Sequence, residues 1–323
     1  MKKAILLPLL LGVAALFQGC DNGGSPAVPT GGQKKMRIGF VAHNANDYWS
    51  IVRMGCDTAV RQLGDVDLDF RTPASRTPAA QEEVISNLLA SGVDAIAISP
   101  IDAESQTEYL NSIPAKVLLV CADSDAEKTR RVCYIGTDNV DAGKQAAELV
   151  KAALPQGGKI ILFVGYLNSQ NSKERIQGIQ TGLAGSNIEI IDTLADDTKS
   201  AVAQKNAEDA LVKYPDLAGM VGLYSYDGPA ILTAVRAAGK TGKVKIVCFD
   251  EDSDTLAGIA AGDIYGTIVQ KPFSIGRQTV IWMDKYLHGD KSQFTGKFYI
   301  PTQTVTKDNV AFVQNSLKTI FQQ

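Results

Sequence analysis

Polar and aromatic side chains follow several short runs of apolar, β-branched residues in this sequence. After the first such run, at 37–42, come His43, Asn46, Asp47, Tyr48 and Trp49. The residues that follow later runs include Ser99, Asp123, Tyr226, Asp250 and Gln270. Carboxylates accept hydrogen bonds with charge assistance, amides donate them, and aromatic faces cover the C–H side of a sugar ring. This combination is suited to binding a neutral polyhydroxylated ligand.

The same residues offer little machinery for catalysis or metal binding. The sequence contains two histidines, His43 and His288, which are too few for a multi-histidine metal site, and a His-dependent triad would have to use one of them. The segment Gly239-Lys240-Thr241 lacks the first glycine of a phosphate loop, because Ala234 stands in its place. We therefore expect no metal and no cofactor.

The composition is that of an ordinary globular protein. Of the 323 residues, 45% are hydrophobic and 21% are charged, and 32 basic against 35 acidic side chains give a formal net charge of −3. These values exclude a collagen-like, disordered or disulfide-dense chain. The mild acidity also argues against a broadly basic nucleic-acid binder.

Short β-branched runs alternate with amphipathic helical segments from residue 36 almost to the end of the chain. The predicted strands are 37–42, 66–70, 95–98, 117–121 and 133–136, followed by 159–164, 188–194, 220–223, 245–248 and 266–269. This alternation is typical of α/β proteins with parallel sheets. Ligands bind beyond the carboxyl ends of such strands, so two similar sheets predict a site in a cleft between them.

The first twenty residues are of a different kind. Lys2 and Lys3 precede an apolar run at 4–17, which is short for a membrane span and typical of a secretory signal. The run ends in Phe17-Gln18-Gly19-Cys20, which resembles the lipobox of bacterial lipoproteins. That resemblance implies a signal peptide at 1–19, lipidation of Cys20 and a flexible tether at 20–35. The alternative is an ordinary signal with a chance cysteine.

The remaining cysteines form no CxxC pair, so a zinc site is not indicated. They are Cys56, Cys121, Cys133 and Cys248. Cys121 and Cys133 lie at the ends of two predicted neighbouring strands, and export permits disulfides. A Cys121–Cys133 bridge and four buried free thiols are the two alternatives, and the free thiols are favoured.

At the polar strand ends the sequence resembles the type I periplasmic binding proteins of sugar transporters, most closely the ribose-binding branch. The likeness runs from about residue 36 to about 287, and the order and spacing of its motifs make it specific. Those motifs include Asn46-Asp47-Tyr48-Trp49, Thr137-Asp138-Asn139 and Val247-Cys248-Phe249-Asp250. The resemblance implies an α/β fold of two doubly wound parallel-sheet lobes joined by a three-crossover hinge near Asp138, Gln270 and the strand after Tyr299. The implied lobes are 36–137 plus 271–303 (N-terminal) and 138–270 plus 304–323 (C-terminal).

The resemblance also implies roles for individual residues. Asp123 and Asp250 match the family's key aspartates, Gln270 its ligand glutamine, and Lys173 an arginine that reaches the sugar. Ser99 and Tyr226 stand where the ribose binder has asparagines, so the sugar need not be ribose. In the first loop, the residue that makes the family's polar contact with the ligand is Asn44, Asn46 or Asp47.

Each of these assignments has a structural alternative. Tyr48 and Trp49 open a predicted helix and could be core aromatics, while Asp123 and Asp250 could be helix caps. Lys173 could be an exposed helix lysine. His43, which stands in the place of a small hydroxyl residue, could support the site without touching the ligand.

The function implied by the resemblance is that of a lipid-anchored, exported substrate-binding protein of an ABC importer. It would bind a monosaccharide or polyol as a monomer, deliver it to the membrane permease subunits and bind no nucleic acid. The alternative is a ligand-sensing subunit for a membrane chemoreceptor or sensor kinase. A transcriptional regulator would carry a helix-turn-helix where this chain has its signal, and an enzyme is the least favoured reading.

Overall fold

The computed structural model describes residues 35–291, 294 and 296–321. The predicted signal peptide at 1–19, Cys20 and all but the last residue of the predicted tether lie outside the described residues. In the described part, strands and helices alternate along the chain, and the strands form two six-stranded sheets.

The first sheet has the order β11-β5-β4-β3-β1-β2, and its paired strands are parallel. Numbered in chain order, its strands are β1 (Met36–Val41), β2 (Val66–Arg71), β3 (Ala95–Ile98), β4 (Leu118–Ala122), β5 (Cys133–Gly136) and β11 (Gly296–Tyr299). Its helices are α1 (Asp47–Leu63), α2 (Pro78–Ala90), α3 (Thr107–Ser112) and α9 (Pro272–Leu287). Helices α1 and α9 pack on one face of the sheet, and α2 and α3 on the other.

The second sheet has the order β12-β10-β9-β8-β6-β7 and is parallel except for the β10–β12 pair. Its strands are β6 (Gly158–Val164), β7 (Ile188–Ala195), β8 (Leu217–Gly222), β9 (Lys245–Phe249), β10 (Gly266–Val269) and β12 (Gln303–Thr306). Its helices are α4 (Asn139–Ala153), α5 (Gln170–Leu183), α6 (Ser200–Lys213), α7 (Asp227–Ala237), α8 (Ser253–Ala261) and α10 (Val310–Phe321). Helices α4 and α5 cover one face, and the other four cover the opposite face.

The chain passes between the two sheets three times: after β5, after β10 and between β11 and β12. The predicted class of two parallel-sheet α/β lobes with three crossovers is therefore confirmed. The predicted residue ranges of the lobes stay a prediction. The edge strand β11 was missed, because it is a four-residue strand that is mostly exposed and carries no apolar run. The strand expected after Tyr299 is β12.

Helices α1 and α9 approach each other closely enough to require glycine at their contact. A Cβ atom on Gly55 would lie 2.0 Å from the carbonyl oxygen of Phe273, and one on Gly276 would lie 2.0 Å from that of Val52. Such distances are far inside van der Waals contact, so any side chain would push the helices apart. The first lobe thus joins a helix from the start of the chain to one from its end.

The register of β4 and β5 excludes the Cys121–Cys133 disulfide. Cys121 is paired with Tyr134, and Cys133 is paired with Val120. Successive side chains of a strand point to opposite faces of the sheet, and the two cysteines belong to different hydrophobic cores. Cys56, Cys121, Cys133 and Cys248 are all buried free thiols, as the favoured alternative predicted.

Candidate ligand-binding site

An aspartate with left-handed backbone follows the strand β4. Asp123 has a φ of 67°, and its N–H donates to the carbonyl oxygen of Ile135 on β5 at 3.0 Å. Its carboxylate accepts hydrogen bonds from Tyr48 Oη at 2.6 Å and from Ser99 Oγ at 2.8 Å. Left-handed backbone costs a non-glycine residue of the order of 1 kcal/mol and is common at functional sites. The N-cap alternative is excluded here, because α4 is capped by Asp138.

The second lobe repeats this arrangement at the end of β9. Asp250 has a φ of 69°, its N–H donates to Ile268 on β10 at 2.9 Å, and its carboxylate accepts from Gln270 Nε2 at 2.7 Å. Burial raises the pKa of Asp250 to about 6, an increase that the guanidinium of Arg175 and the bond from Gln270 oppose. The N-cap of α8 is Asp252, so Asp250 is not a helix cap either.

A buried arginine links these elements in the second lobe. Arg175 is 2% exposed and donates through Nε to Asn139 Oδ1 at 2.9 Å, through Nη1 to the carbonyl oxygen of Leu223, and through Nη2 to Gln270 Oε1. Its guanidinium lies 4.5 Å from the ring centroid of Phe249. Gln270 therefore accepts from the arginine while it donates to Asp250, so it is fixed in one orientation.

The helix that carries Arg175 is held against α4 by two glycines. A Cβ on Gly143 would lie 2.3 Å from the carbonyl oxygen of Arg175, and a Cβ on Gly178 would lie 2.2 Å from that of Val140. The two backbones can meet only because neither residue has a side chain. This close contact positions α5, and with it the guanidinium.

His43 supports Asp123 through Ser99. His43 Nε2 lies 2.9 Å from Ser99 Oγ and 3.3 Å from the carbonyl oxygen of Pro100. Because the serine hydroxyl donates to Asp123, the network assigns the imidazole proton to Nε2. Burial lowers the pKa of His43, although the negative charge of Asp123 acts to raise it. The ring is therefore neutral.

Aromatic side chains from both lobes surround the two aspartates. Tyr48 and Trp49 are buried in the first lobe, with ring centroids 5.3 Å apart and planes at 85°. From the second lobe, Tyr226 Oη donates to Asp196 Oδ1 at 2.5 Å. Burial raises the pKa of Asp196 to about 6 and raises that of Asp227 further, because the two carboxyls are neighbours.

These side chains enclose one small cavity between the lobes, with about 30 Å³ of room. Its lining comprises His43, Asn44, Asn46, Tyr48, Trp49, Asp123, Asn171, Arg175, Thr198, Tyr224, Ser225, Tyr226, Asp250 and Gln270. The lobes touch beside it, since Asn44 Nδ2 donates to Thr198 Oγ1 at 3.1 Å and Arg76 Nη1 to the carbonyl oxygen of Thr198 at 2.7 Å. Within the described residues Asn44 Oδ1 is buried and has no hydrogen-bond partner.

Eight of the residues predicted from the sequence line this cavity: His43, Asn46, Tyr48, Trp49, Asp123, Tyr226, Asp250 and Gln270. Ser99 is buried behind Asp123. Asp47 is exposed and faces an adjacent groove instead. Tyr48 and Trp49 were predicted either as ligand-binding or as core aromatics, and they are both. They belong to the core of the first lobe and they line the cavity.

The prediction for Lys173 is wrong. Its side chain is exposed on α5, and the cation of the cavity is Arg175, two residues further on. Residues two apart on a helix point about 200° away from each other, whereas residues four apart share a face. Asn171 and Arg175 are four apart, and their face continues into the buried Ile179, a periodicity that would have selected the arginine. Asn171, Thr198, Tyr224 and Ser225 were also missed.

A second group of titratable residues lies at the opposite edge of the first sheet. Asp65 precedes β2, and Asp284 and His288 lie at the end of α9. Their possible ligand atoms are within 4.8 Å of one another. His288 Nε2 is 3.4 Å from Asp65 Oδ2, and its Nδ1 is 3.2 Å from Asp284 Oδ1. The imidazole lies between the two carboxyl groups, and these contacts account for the arrangement.

Comparison with known proteins identifies the chain. A family model described as a periplasmic binding protein domain matches residues 38–291. The chain belongs to the periplasmic binding protein family. Ribose import binding protein RbsB of Bacillus subtilis is 25% identical over 302 residues, which cover 91% of this chain and 96% of that protein.

Solved structures of periplasmic binding proteins agree with this assignment. An ABC transporter solute-binding protein from Burkholderia graminis, in complex with D-arabinose, is 29% identical with a TM-score of 0.80, over 86% of this chain and 97% of that one. The XylFII–LytSN complex gives 27% identity and a TM-score of 0.79, over 85% and 98%. The predicted resemblance to type I periplasmic sugar-binding proteins is confirmed.

The chain thus belongs to a family of solute-binding proteins, which are not enzymes. Within the described residues, no helix has both the length and the apolar character needed to span a bilayer.

Proposed function

We propose that this protein is the lipid-anchored substrate-binding component of an ABC importer and carries a monosaccharide or related polyol to the permease. The observation that carries the proposal is the convergence of Asp123 and Asp250, one from each lobe, on a single cavity that also receives Arg175. Two carboxylates and one guanidinium suit the hydroxyl groups of such a ligand, each of which both donates and accepts hydrogen bonds.

The proposed division of labour follows from the donor and acceptor chemistry. Asp123 and Asp250 accept from sugar hydroxyls, and Asn44 offers a buried free acceptor beside them. Arg175 donates, and Trp49 covers a C–H face. The proposed contact residues are His43, Asn44, Asn46, Tyr48, Trp49, Asp123, Asn171, Arg175, Tyr226, Asp250 and Gln270.

Closure of the two lobes on the ligand is the proposed working motion. The bonds from Asn44 and Arg76 to Thr198 join the lobes beside the cavity, and they can form only when the lobes are together. Hinge closure of this kind is general in periplasmic binding proteins. A sugar that contacts both aspartates favours the closed arrangement, and the closed surface is what we expect the permease to recognise.

The anchor is part of the proposal and rests on the amino-acid sequence. A lipid on Cys20, followed by the tether at 20–35, would hold the protein at a membrane outside the cytoplasm after removal of 1–19. Each buried CH₂ group of an acyl chain contributes about 0.8 kcal/mol, so several chains give a firm attachment. We propose further that the lobes divide as 36–137 plus 271–303 and 138–270 plus 304–323, which agrees with the membership of the two sheets.

A sensing role is the second candidate, and the similarity to the XylFII–LytSN complex favours it specifically. The same cavity and closure would serve, and the closed surface would contact a receptor instead of a permease. Sugar-stimulated ATP hydrolysis by a reconstituted transporter would support import. Sugar-dependent binding to a sensor-kinase ectodomain without such stimulation would support sensing.

A ligand panel tests the proposal directly. Pentoses, hexoses and polyols are added to the purified protein, and the melting temperature is measured for each. A ligand at 1,000 times its Kd adds about 4 kcal/mol to the free energy of unfolding, so at least one compound is expected to raise the melting temperature by several degrees. If no member of the panel does so, the sugar-binding proposal fails.

A further inference from the structure

A second, larger space opens beside the sugar cavity. This groove has a volume of about 550 Å³ and lies between the start of α1, the loop after β9, α8, the start of α9 and α10. Tyr48, Ser225 and Asp250 line both the groove and the cavity. The groove and the cavity therefore adjoin at these three residues.

The groove contains a buried carboxyl group that nothing in the sugar site uses. Glu251 is 7% exposed, and within the described residues its Oε2 is buried and has no hydrogen-bond partner. A buried polar group without a hydrogen-bond partner destabilises the folded protein, and a buried unpaired charge does so more strongly. Burial, together with the neighbouring Asp250, raises the pKa of Glu251 to about 8.

The charged groups around Glu251 are mostly acidic. Asp250 and Asp252 flank it in the chain, Asp47 faces the groove from the other lobe, and Lys318 on α10 is the one cation in the lining. Lys318 is exposed, so its charge is largely screened by solvent. Four carboxyl groups against one solvated ammonium group make the groove attractive to a cation.

The other side chains of the lining are partly polar and partly apolar. The polar ones are Ser50, Ser225, Ser253 and Gln314, and the apolar part is formed by Ile51, Leu256, Pro272 and Leu317. Within the described residues, no three of the acidic groups of this groove lie close enough together to hold a metal ion. A carbon-bound ammonium group fits better, because its methylene or ring carbons can contact the apolar side chains while its N–H groups donate to Glu251.

We propose that the natural ligand is a cationic, amine-bearing sugar or amino-polyol, with its hydroxylated part in the cavity and its ammonium group paired with Glu251 in the groove. This inference rests on the proposed function and narrows its ligand class. It also gives the buried glutamate a partner, and it explains why the space beside a small polyol cavity is both acidic and partly apolar.

Binding of an amine-bearing ligand should release a proton, whereas binding of a neutral sugar should release none. Near pH 7 the glutamate of the free protein is mainly protonated, and an adjacent ammonium group favours its ionised form, so binding releases up to one proton. The other groups that face Glu251 contribute less. Tyr48 stays neutral because burial raises its pKa well above the usual value, and Asp250, with a pKa of about 6, is already mostly ionised.

Calorimetry with three matched pairs tests this. The probes are D-glucose with D-glucosamine, D-galactose with D-galactosamine, and ribitol with 1-amino-1-deoxyribitol, titrated at pH 7 in two buffers of different ionisation enthalpy. In at least one pair the amine is expected to bind about tenfold or more tightly than its neutral partner, as one charge-assisted hydrogen bond allows. That binding should release a proton, and the neutral partner should release none.

The variant Glu251→Gln keeps the shape of the side chain and removes the charge. It is expected to bring the affinity ratio of amine to neutral partner close to one and to abolish proton release, while Glu83→Gln, an exposed change on α2, alters neither. The inference is overturned if no amine surpasses its partner on the unmodified protein, or if Glu251→Gln leaves the ratio intact. Binding of neutral sugars without amine preference would refute the inference and leave the proposed function standing. If no member of any pair binds, the inference fails, and the wider ligand panel still decides the proposed function.

Discussion

Burying the carboxylate of Asp250 at the end of β9 lowers the free energy of unfolding. Asp250 is 4% exposed, and burial raises its pKa from 3.8 to about 6. Each pH unit of such a difference corresponds to about 1.4 kcal/mol, so the ionised side chain lowers the free energy of unfolding by about 3 kcal/mol at pH 8. The folded protein binds this proton more tightly than the unfolded chain, and stability therefore falls as the pH rises from about 4 to about 6.

The variant Asp250→Asn removes this penalty. Asparagine tolerates the left-handed φ of 69°, and its Oδ1 can still accept from Gln270. We expect the variant to be more stable than the natural protein by about 3 kcal/mol at pH 8, and by about 1 kcal/mol at pH 4.5, where most of the penalty is already gone. The same change removes a charge-assisted acceptor for a sugar hydroxyl, so affinity should fall about 10- to 100-fold.

Urea unfolding at pH 4.5 and pH 8 without sugar, followed by calorimetry with a sugar from the panel, measures both effects. Asp308→Asn is the matched control, because Asp308 is exposed and should change neither quantity by much. Comparing each variant with the natural protein cancels the titration of buried acids that do not interact with Asp250. Loss of the Asp250 charge also lowers the pKa of Glu251, which adds to the stability gain at pH 8. An Asp250→Asn variant whose stability gain is the same at both pH values would refute the electrostatic reasoning, and unchanged sugar affinity would place Asp250 outside the site.

Four further predictions test the packing, the site and the anchor. Arg175→Met should destabilise the protein by about 3–5 kcal/mol and abolish sugar binding, because it leaves buried acceptors without a donor. The control Lys173→Met, at an exposed position, should change the free energies of unfolding and of sugar binding by less than about 0.5 kcal/mol each. Equal effects of the two variants in denaturation and calorimetry would contradict the assignment of Arg175 to the cavity. Trp49→Ala should remove the sugar-induced thermal shift and cost about 3–5 kcal/mol, and a retained shift would remove Trp49 from the site. Gly143→Ala should cost about 1–3 kcal/mol by separating α4 from α5, so an unchanged melting temperature would argue against that contact. Cys20→Ser should release the protein from membranes in fractionation, and continued acyl labelling would disprove the anchor.

The parts of the site that lie directly after strands were predictable from the sequence. Asp123, Asp250 and Gln270 each follow an apolar run, and parallel sheets bring such residues to one edge. The residues on helices were harder, because a helix turns by about 100° per residue and a motif alone does not set its phase. The choice of Lys173 instead of Arg175 is an error of this kind. The buried positions of α5 correct it, because Arg175 is among them and Lys173 is not.

Other features depend on information that a single segment of sequence does not carry. The spacing of Cys121 and Cys133 allowed a disulfide, and only the pairing register of β4 and β5 shows that the two thiols point away from each other. Thr198 enters the cavity from a loop with a φ of 56°, a conformation that β-branched residues rarely adopt and that no sequence pattern predicted. Glu251 appeared in the sequence merely as the neighbour of a key aspartate.

The packing of α1 against α9 sets the order in which the molecule can be completed. During synthesis the helix with Gly55 emerges more than two hundred residues before the helix with Gly276. Until then the apolar face of α1 lacks its natural cover, whereas β6 to β10 of the second lobe are already complete. A chain that stopped before Pro272 would contain both aspartates of the site and still expose the core of its first lobe. The last sixth of the protein contributes almost nothing to the lining of the cavity, and yet it decides whether the cavity exists.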